Sequence, residues 1–147
     1  LGGGEKLTCC GDEPYNECEK QYAEHSTWLL HEAFCLYSQR DIFEPYKKNH
    51  STVKDACELA EKLGVPNLVL YHTEDKNIEN RKALYTEEGK AYYHGNLVVP
   101  DDLETFEIEK RGGRGQGPSA AFCRVWAGNC AKPLCTGQRF FNDTFTL

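Results

Sequence analysis

The stretch Asn49-His50-Ser51-Thr52-Val53-Lys54-Asp55-Ala56-Cys57, continued through Gly64-Val65-Pro66-Asn67-Leu68-Val69-Leu70-Tyr71-His72, decides the fold. Ser51 or Thr52 is placed to cap a helix. The Asp55 carboxylate falls in its first turn, where it favours the amide groups left unpaired at a helix start. Val53, Ala56, Cys57, Ala60 and Leu63 recur at helical spacing and give the helix one apolar face. Gly64 suits the left-handed residue that closes a helix, and Pro66 prevents its return. Leu68-Val69-Leu70 is then a short apolar run between turn signals, the pattern of a buried strand. His50 stands at the entrance of the helix and His72 at the exit of the strand. Open α/β sheets bind ligands beyond the carboxyl ends of their strands, so His72 is a candidate functional side chain.

Outward from this unit the pattern continues as α/β. Lys6-Leu7-Thr8-Cys9-Cys10 reads as a strand ending at Gly11-Asp12, and Asn16 is placed to cap a helix over about residues 17–25. Thr27-Trp28-Leu29-Leu30 is a second strand running into His31-Glu32-Ala33. After His72 a helix is expected from Ile78 to Tyr93, with Ala83 and Leu84 as apolar contacts and Gly89 as a weak point. Two strands follow, residues 96–99 and 105–108, with Pro100-Asp101-Asp102 as the turn between them. Alternation turns His31 away from Glu32 and into packing. His25 and His94 are expected on exposed helix faces, Tyr92 and Tyr93 in the core, and the Glu/Lys pattern of residues 74–90 on a solvated face.

Length and composition set the frame. A chain of 147 residues is one domain or a fragment of one. No apolar run approaches the roughly 18 residues of a membrane helix, and no membrane partner is expected. Leu1-Gly2-Gly3-Gly4 has neither a starting Met nor the apolar core of a signal peptide, and the chain has no Met at all. A piece of a longer polypeptide or a truncated gene is the expectation. Of the eight cysteines, Cys9 and Cys10 are adjacent on a strand and Cys57 lies on an apolar helix face; no CxxC pair occurs. Reduced core thiols and a cytoplasmic protein are expected, rather than a disulfide scaffold. The net charge of −6 is unevenly spread: residues 110–147 carry Lys110, Arg111, Arg114, Arg124, Lys132 and Arg139 against Asp143 alone. The body is therefore strongly acidic, unlike a general nucleic-acid-binding surface. Arg111-Gly112-Gly113-Arg114-Gly115-Gln116-Gly117-Pro118 has linker composition, and no period is sustained beyond it. The chain divides at this point into residues 1–109, a folded unit, and residues 110–147, a poorly patterned tail that is disordered or artefactual.

Three expected strands end in Asp12, in His31-Glu32 and in His72, with His50 opening the helix before the third. If the strands are parallel neighbours, these residues gather along one edge of the sheet. Carboxylate and imidazole together suit zinc or a related divalent ion, and a histidine beside a carboxylate but off the metal suits a proton donor. The ordered set Leu7-Thr8-Cys9-Cys10-Gly11-Asp12, Leu29-Leu30-His31-Glu32-Ala33-Phe34, His50-Ser51-Thr52 and Leu68-Val69-Leu70-Tyr71-His72 resembles the C-terminal half of a metallo-β-lactamase-fold hydrolase. Within that superfamily it is most similar to the ribonuclease Z branch, over about residues 5–109. The resemblance implies half of a four-layer αββα fold. It implies that Asp12 bridges two zinc ions (manganese or iron being alternatives) and that His72 is the last histidine ligand. It implies further that His50 donates a proton to the leaving group and that Glu32 orients His50. The implied reaction is hydrolysis of RNA or another phosphodiester by a metal-bound hydroxide.

Several features depart from that family. The His-x-His-x-Asp-His motif and the histidine ligand expected before Asp12 are absent, so two protein ligands remain where a hydrolytic zinc site takes three or more. The chain alone is therefore expected to be weak or inactive. Phe34 stands where the family has threonine, and Thr73-Glu74-Asp75 where it continues Phe-Ser-x-Arg. Two competing readings are a non-catalytic fragment or interaction module, and a metallo-hydrolase of a non-nucleic-acid ester on the same scaffold. A half domain would also leave a sheet face of Leu29, Leu68, Val69 and Leu70 bare, inviting a homodimer or aggregation.

Overall fold

The computed structural model describes residues 5–74, 76–108 and 121–123. At its centre is a four-stranded, fully parallel sheet in chain order, β1 (Leu7–Cys9), β2 (Trp28–Glu32), β3 (Asn67–Tyr71) and β4 (Asn96–Val98). Leu7 pairs with Trp28, Trp28 with Asn67 and Asn67 with Asn96, so the strands start level and their carboxyl ends share one edge.

Helix α3 (Val53–Leu63) forms where the sequence places it, and Thr52 rather than Ser51 is the cap. Asp55 Oδ2 accepts from the Thr52 amide at 2.9 Å and Thr52 Oγ1 accepts from the Asp55 amide at 3.3 Å, a reciprocal capping box. Gly64 ends the helix at φ +64°, as expected of a residue without Cβ. Val53, Ala56, Cys57 and Ala60 are buried against Leu29, Leu68 and Leu70, with Tyr85 and Tyr93 in the same cluster. The other sheet face carries Trp28, Leu30 and Val69, packed with Phe106 and Ile108. The four residues expected on one bare face are thus divided by strand alternation between two faces and are all fully buried. The expectation of an exposed apolar face inviting a homodimer is not supported.

Several other expectations need correction. The helix over 17–25 is shorter: a 3-10 turn Glu17–Glu19, capped by Asn16, leads into α1 (Lys20–Ala23). A second one-turn helix, α2 (Arg40–Phe43), lies in the loop before His50. The long helix α4 spans Ile78–Lys90 and its buried stripe is Arg81, Tyr85 and Gly89, while Ala83 is exposed. Gly89 is a packing requirement, not a weak point. A Cβ there would come within 2.5 Å of Leu97 Cδ2 and 3.1 Å of Cys57 Sγ, so the missing side chain lets α4 approach α3 and β4. His25 and His94 are exposed, but in the turns after helices rather than on them. Tyr93 is core, its hydroxyl donating to the Val65 carbonyl at 2.8 Å.

Beyond β4 the chain does not fold back as a hairpin on that strand. The turn after Pro100 is pinned to α4 by Arg81 and Lys82, and β5 (Phe106–Ile108) pairs antiparallel with β6 (Ala121–Cys123). A strand therefore exists within the stretch that showed no period. The remainder of the expected tail lies outside the described residues. Cys10, Cys35 and Cys57 are buried free thiols whose burial pushes each pKa up to about 12; Cys9 and Cys18 are exposed and also free. No described helix is long and apolar enough to cross a membrane.

Candidate active site

The carboxyl edge of the sheet assembles the four residues singled out above. Glu32 closes β2 with its side chain fully buried. Ala33 then bonds to the Tyr71 carbonyl, Phe34 to the Ser51 carbonyl, and Cys35 forms a parallel bridge with Thr52. The segment leaving β2 therefore runs beside the entrance of α3, which brings His50 over Glu32. Before His50, the 3-10 turn Pro45–Lys48 closes through Asn49 in the left-handed region at φ +60°, a conformation asparagine tolerates. The His50 amide bonds to the Pro45 carbonyl at 2.9 Å, so the histidine enters from a fixed turn.

Glu32 uses both oxygens. One accepts from the Ser51 amide, and Oε2 lies 3.1 Å from His50 Nδ1. With Nδ1–H donating to this carboxylate, Nε2 is the His50 nitrogen that Glu32 does not hold. Burial raises the Glu32 carboxyl to about 7, against the Ser51 hydrogen bonds and the His72 charge that favour its ionised form. Burial also lowers the His50 pKa, which the Asp12 charge and backbone partly oppose. Burial thus disfavours the charged form of both partners, Glu32 as carboxylate and His50 as imidazolium.

His72 follows β3 at φ +52°, a left-handed conformation unusual for a residue with a Cβ. Such strain, of order 1 kcal/mol, concentrates where a side chain must be aimed. Here it accompanies ring centroids of His50 and His72 only 4.9 Å apart. Asp12 follows β1 through Gly11 at φ +75°, on an exposed turn. The Tyr71 hydroxyl donates to the Gly11 carbonyl and lies 3.5 Å from Cys9 Sγ, tying the Asp12 turn to the strand that delivers His72. His31 points the other way, as alternation requires. Its Nδ1 bonds the Glu32 carbonyl at 2.7 Å, and its buried Nε2 has no hydrogen-bond partner among the described residues.

Two contributors were not legible in the sequence. Phe34 stacks on His50 with centroids 4.9 Å apart and planes 17° off parallel, and meets Phe43 edge-on. Tyr71 anchors the Asp12 turn. The only signal for either was position: Phe34 is two residues beyond Glu32 and Tyr71 immediately precedes His72.

Asp12 and His72 are the donors suited to a divalent metal, one carboxylate and one imidazole. They fit zinc in kind, and among the described residues no three His, Cys, Asp or Glu side chains converge to hold an ion.

Comparison with known proteins defines the class first. The chain superposes on the metallo-β-lactamase-fold protein YhfI of Bacillus subtilis with a TM-score of 0.56 at 17% identity, over 68% of this chain and 39% of that one. The α/β fold is thus of metallo-β-lactamase kind. In sequence the chain is similar to ribonuclease Z. It is 31% identical to the Shouchella clausii enzyme over 109 residues, covering 74% of this chain and 34% of that one. With ribonuclease Z of Thermococcus sibiricus it is 29% identical over 108 residues, 74% of this chain and 33% of that one. With ribonuclease Z 1 of Schizosaccharomyces pombe identity rises to 39%, over 69 residues, or 47% of this chain and 8% of that one. The chain spans about a third of the length of the first two relatives. No family model matches it. The resemblance carried by the four ordered motifs is borne out.

Proposed function

We propose that this chain supplies the proton-donating side of a metal-dependent phosphodiesterase of the ribonuclease Z kind, acting on RNA. Asp12 and His72 are its contribution to a dinuclear zinc site whose other ligands come from a second segment. The observation that carries this reading is the Ser51–Glu32–His50 linkage facing His72 at one sheet edge. Zinc, when held there, supplies positive charge to the phosphoryl group and lowers the pKa of the attacking water.

Every other element of the mechanism is the chain's own. Glu32, fixed by the Ser51 amide, receives Nδ1–H of His50 and holds the imidazole in one tautomer. His50 in its imidazolium form gives its Nε2 proton to the departing ribose oxygen and is left as the neutral Nδ1–H tautomer that Glu32 holds. Phe34 covers one side of the imidazole and limits its rotation. Division of the chain at residue 109 and a half-domain arrangement belong to the same proposal.

The test measures zinc stoichiometry and zinc-dependent hydrolysis of bis(p-nitrophenyl) phosphate and RNA. It uses this chain and a version extended by its upstream coding segment. Two zinc ions and turnover in the extended protein only, both impaired by His72→Ala, support a shared site. Turnover by this chain alone would relocate the ligands, and no zinc in either would leave an interaction module as the reading.

A further inference from the structure

Around the candidate site the lysines fall into two groups. Lys47 pairs with Glu44, Lys54 with Glu58 at 3.8 Å while also lying over the Tyr37 and Tyr92 rings, and Lys82 with Glu104 at 2.6 Å. Lys48 and Lys76 have no carboxylate partner among the described residues. Each instead sits over an aromatic ring: Lys48 Nζ is 5.2 Å from the Phe34 centroid, and Lys76 Nζ is 4.9 Å from that of Phe43. The two rings meet edge-on at 6.4 Å, and Phe34 is itself stacked on His50. The Lys48 charge is felt at His50, whose pKa it helps to lower.

A ring restrains an ammonium group without neutralising it. A carboxylate would do both. Lys48 and Lys76 are therefore exposed positive charges set over the two rings of one aromatic pair, of which Phe34 lies against His50. Chains from different parts of the sequence arrive at it: Phe34 from the exit of β2, Phe43 from α2, Lys48 from the turn before His50, and Lys76 from the loop after β3. On an acidic body, such a pair is where a polyanion can approach.

We propose that Lys48 and Lys76, carried on the Phe34–Phe43 pair, bind the phosphate backbone of a single-stranded RNA flanking the bond presented to His50. This rests on the phosphodiesterase reading, and supplies it with substrate contacts. The rings are occupied by His50 and by the ammonium groups, so the contact is made through charge. Sequence preference from base stacking is not expected at this point.

The experiment is equilibrium binding of a fluorescein-labelled short oligouridylate to the 147-residue chain, by anisotropy, across a salt series. EDTA is present, so the result is independent of metal and cleavage. Each phosphate contact to a single strand contributes roughly 0.7 to the slope of log affinity against log salt. Lys48→Gln and Lys76→Gln should each lower that slope by about 0.7, and the double variant by about 1.4. Lys62→Gln, at the far end of α3, should leave it unchanged. Phe34→Leu should act like Lys48→Gln, and Phe34→Tyr should retain the parent slope, with thermal melting run on both.

No binding by the parent at low salt overturns the proposal. So does an unchanged slope in the double variant, or an equal loss in Lys62→Gln, which would mean diffuse attraction. An unchanged slope in Phe34→Leu overturns the role of the ring. Slopes as expected, with no zinc-dependent turnover in the extended protein, would keep the RNA clamp and reject the catalytic reading.

Discussion

The molecule holds two carboxylate–cation arrangements with one member of each buried, and they are built for opposite ends. At the carboxyl edge of β2, Glu32 faces His50, a partner whose charge is a single mobile proton. Beneath the turn after β4, Arg81 faces Asp101 and Asp102 at 3.3 and 3.9 Å. It also donates to Thr73 Oγ1 at 2.9 Å and to the Pro100 carbonyl at 3.3 Å, and only 4% of it is exposed. A guanidinium keeps its charge at every accessible pH and spreads five donors in a fixed plane. Arg81 therefore joins the loop after β3 to the loop after β4 and cannot exchange protons. The imidazole of His50 makes fewer contacts, and its protonation is adjustable. Reactivity and fastening use the same ionic chemistry; the choice of cation separates them.

The comparison can be broken most severely at His50. His50→Gln, which keeps a hydrogen-bond donor for the buried Glu32, should lower phosphodiester turnover in the zinc-loaded extended protein by about 10²–10⁴-fold, the range for losing a general acid, while leaving the melting temperature nearly unchanged. Loss of both would make His50 another fastener. Arg81→Ala should do the reverse. Arg81 is buried but its carboxylate partners are half exposed, so losing its hydrogen bonds to Thr73 and Pro100 should cost about 1–3 kcal/mol, and chemical denaturation of the 147-residue chain should move to lower denaturant.

Smaller changes sharpen the contrast by testing the scaffold between the two sites. Gly89→Ala should cost about 1–3 kcal/mol, since the new methyl group must displace Leu97 or Cys57. Thr52→Ala should cost about 1 kcal/mol through the lost cap, read in the same denaturation experiment. The mildest test is one of pH. Burial holds the His31 pKa below its ordinary value, so the unfolded chain binds this proton more readily than the folded one. Its contribution to stability is complete above the unfolded value near 6.5 and is lost as pH falls below it. A His31→Gln variant should show a flatter stability profile over that acid range.

How much of this was legible depends on how local each cause is. Helix α3 was readable because its cap, its apolar stripe and Gly64 all lie within the same short stretch. Asp12, Glu32, His50 and His72 were readable as a group because strand ends in parallel register must share an edge, and turn signals mark those ends. The roles of Gly89, Phe34 and Arg81 were not. Gly89 looks like a helix weakness until Leu97 and Cys57 are brought against it. Phe34 looks like a substitution in a motif until the turn before His50 is folded over it. Arg81 looks like one charge among many on a solvated helix, because its partners at Pro100, Asp101 and Asp102 lie about 20 residues away. The division of Leu29, Leu68 and Leu70 from Val69 was available from alternation alone.

The sheet order has a consequence in time. Since β1, β2, β3 and β4 are neighbours in the order in which they occur, no strand must wait for a partner made after its next neighbour. As the chain leaves the ribosome, β2 can dock on β1, β3 on β2 and β4 on β3, each after one intervening crossover. Glu32 can meet Ser51 and His50 before β3 emerges, so the linkage can close early and await His72. The sheet is able to assemble as a procession, with its reactive edge completed one residue at a time.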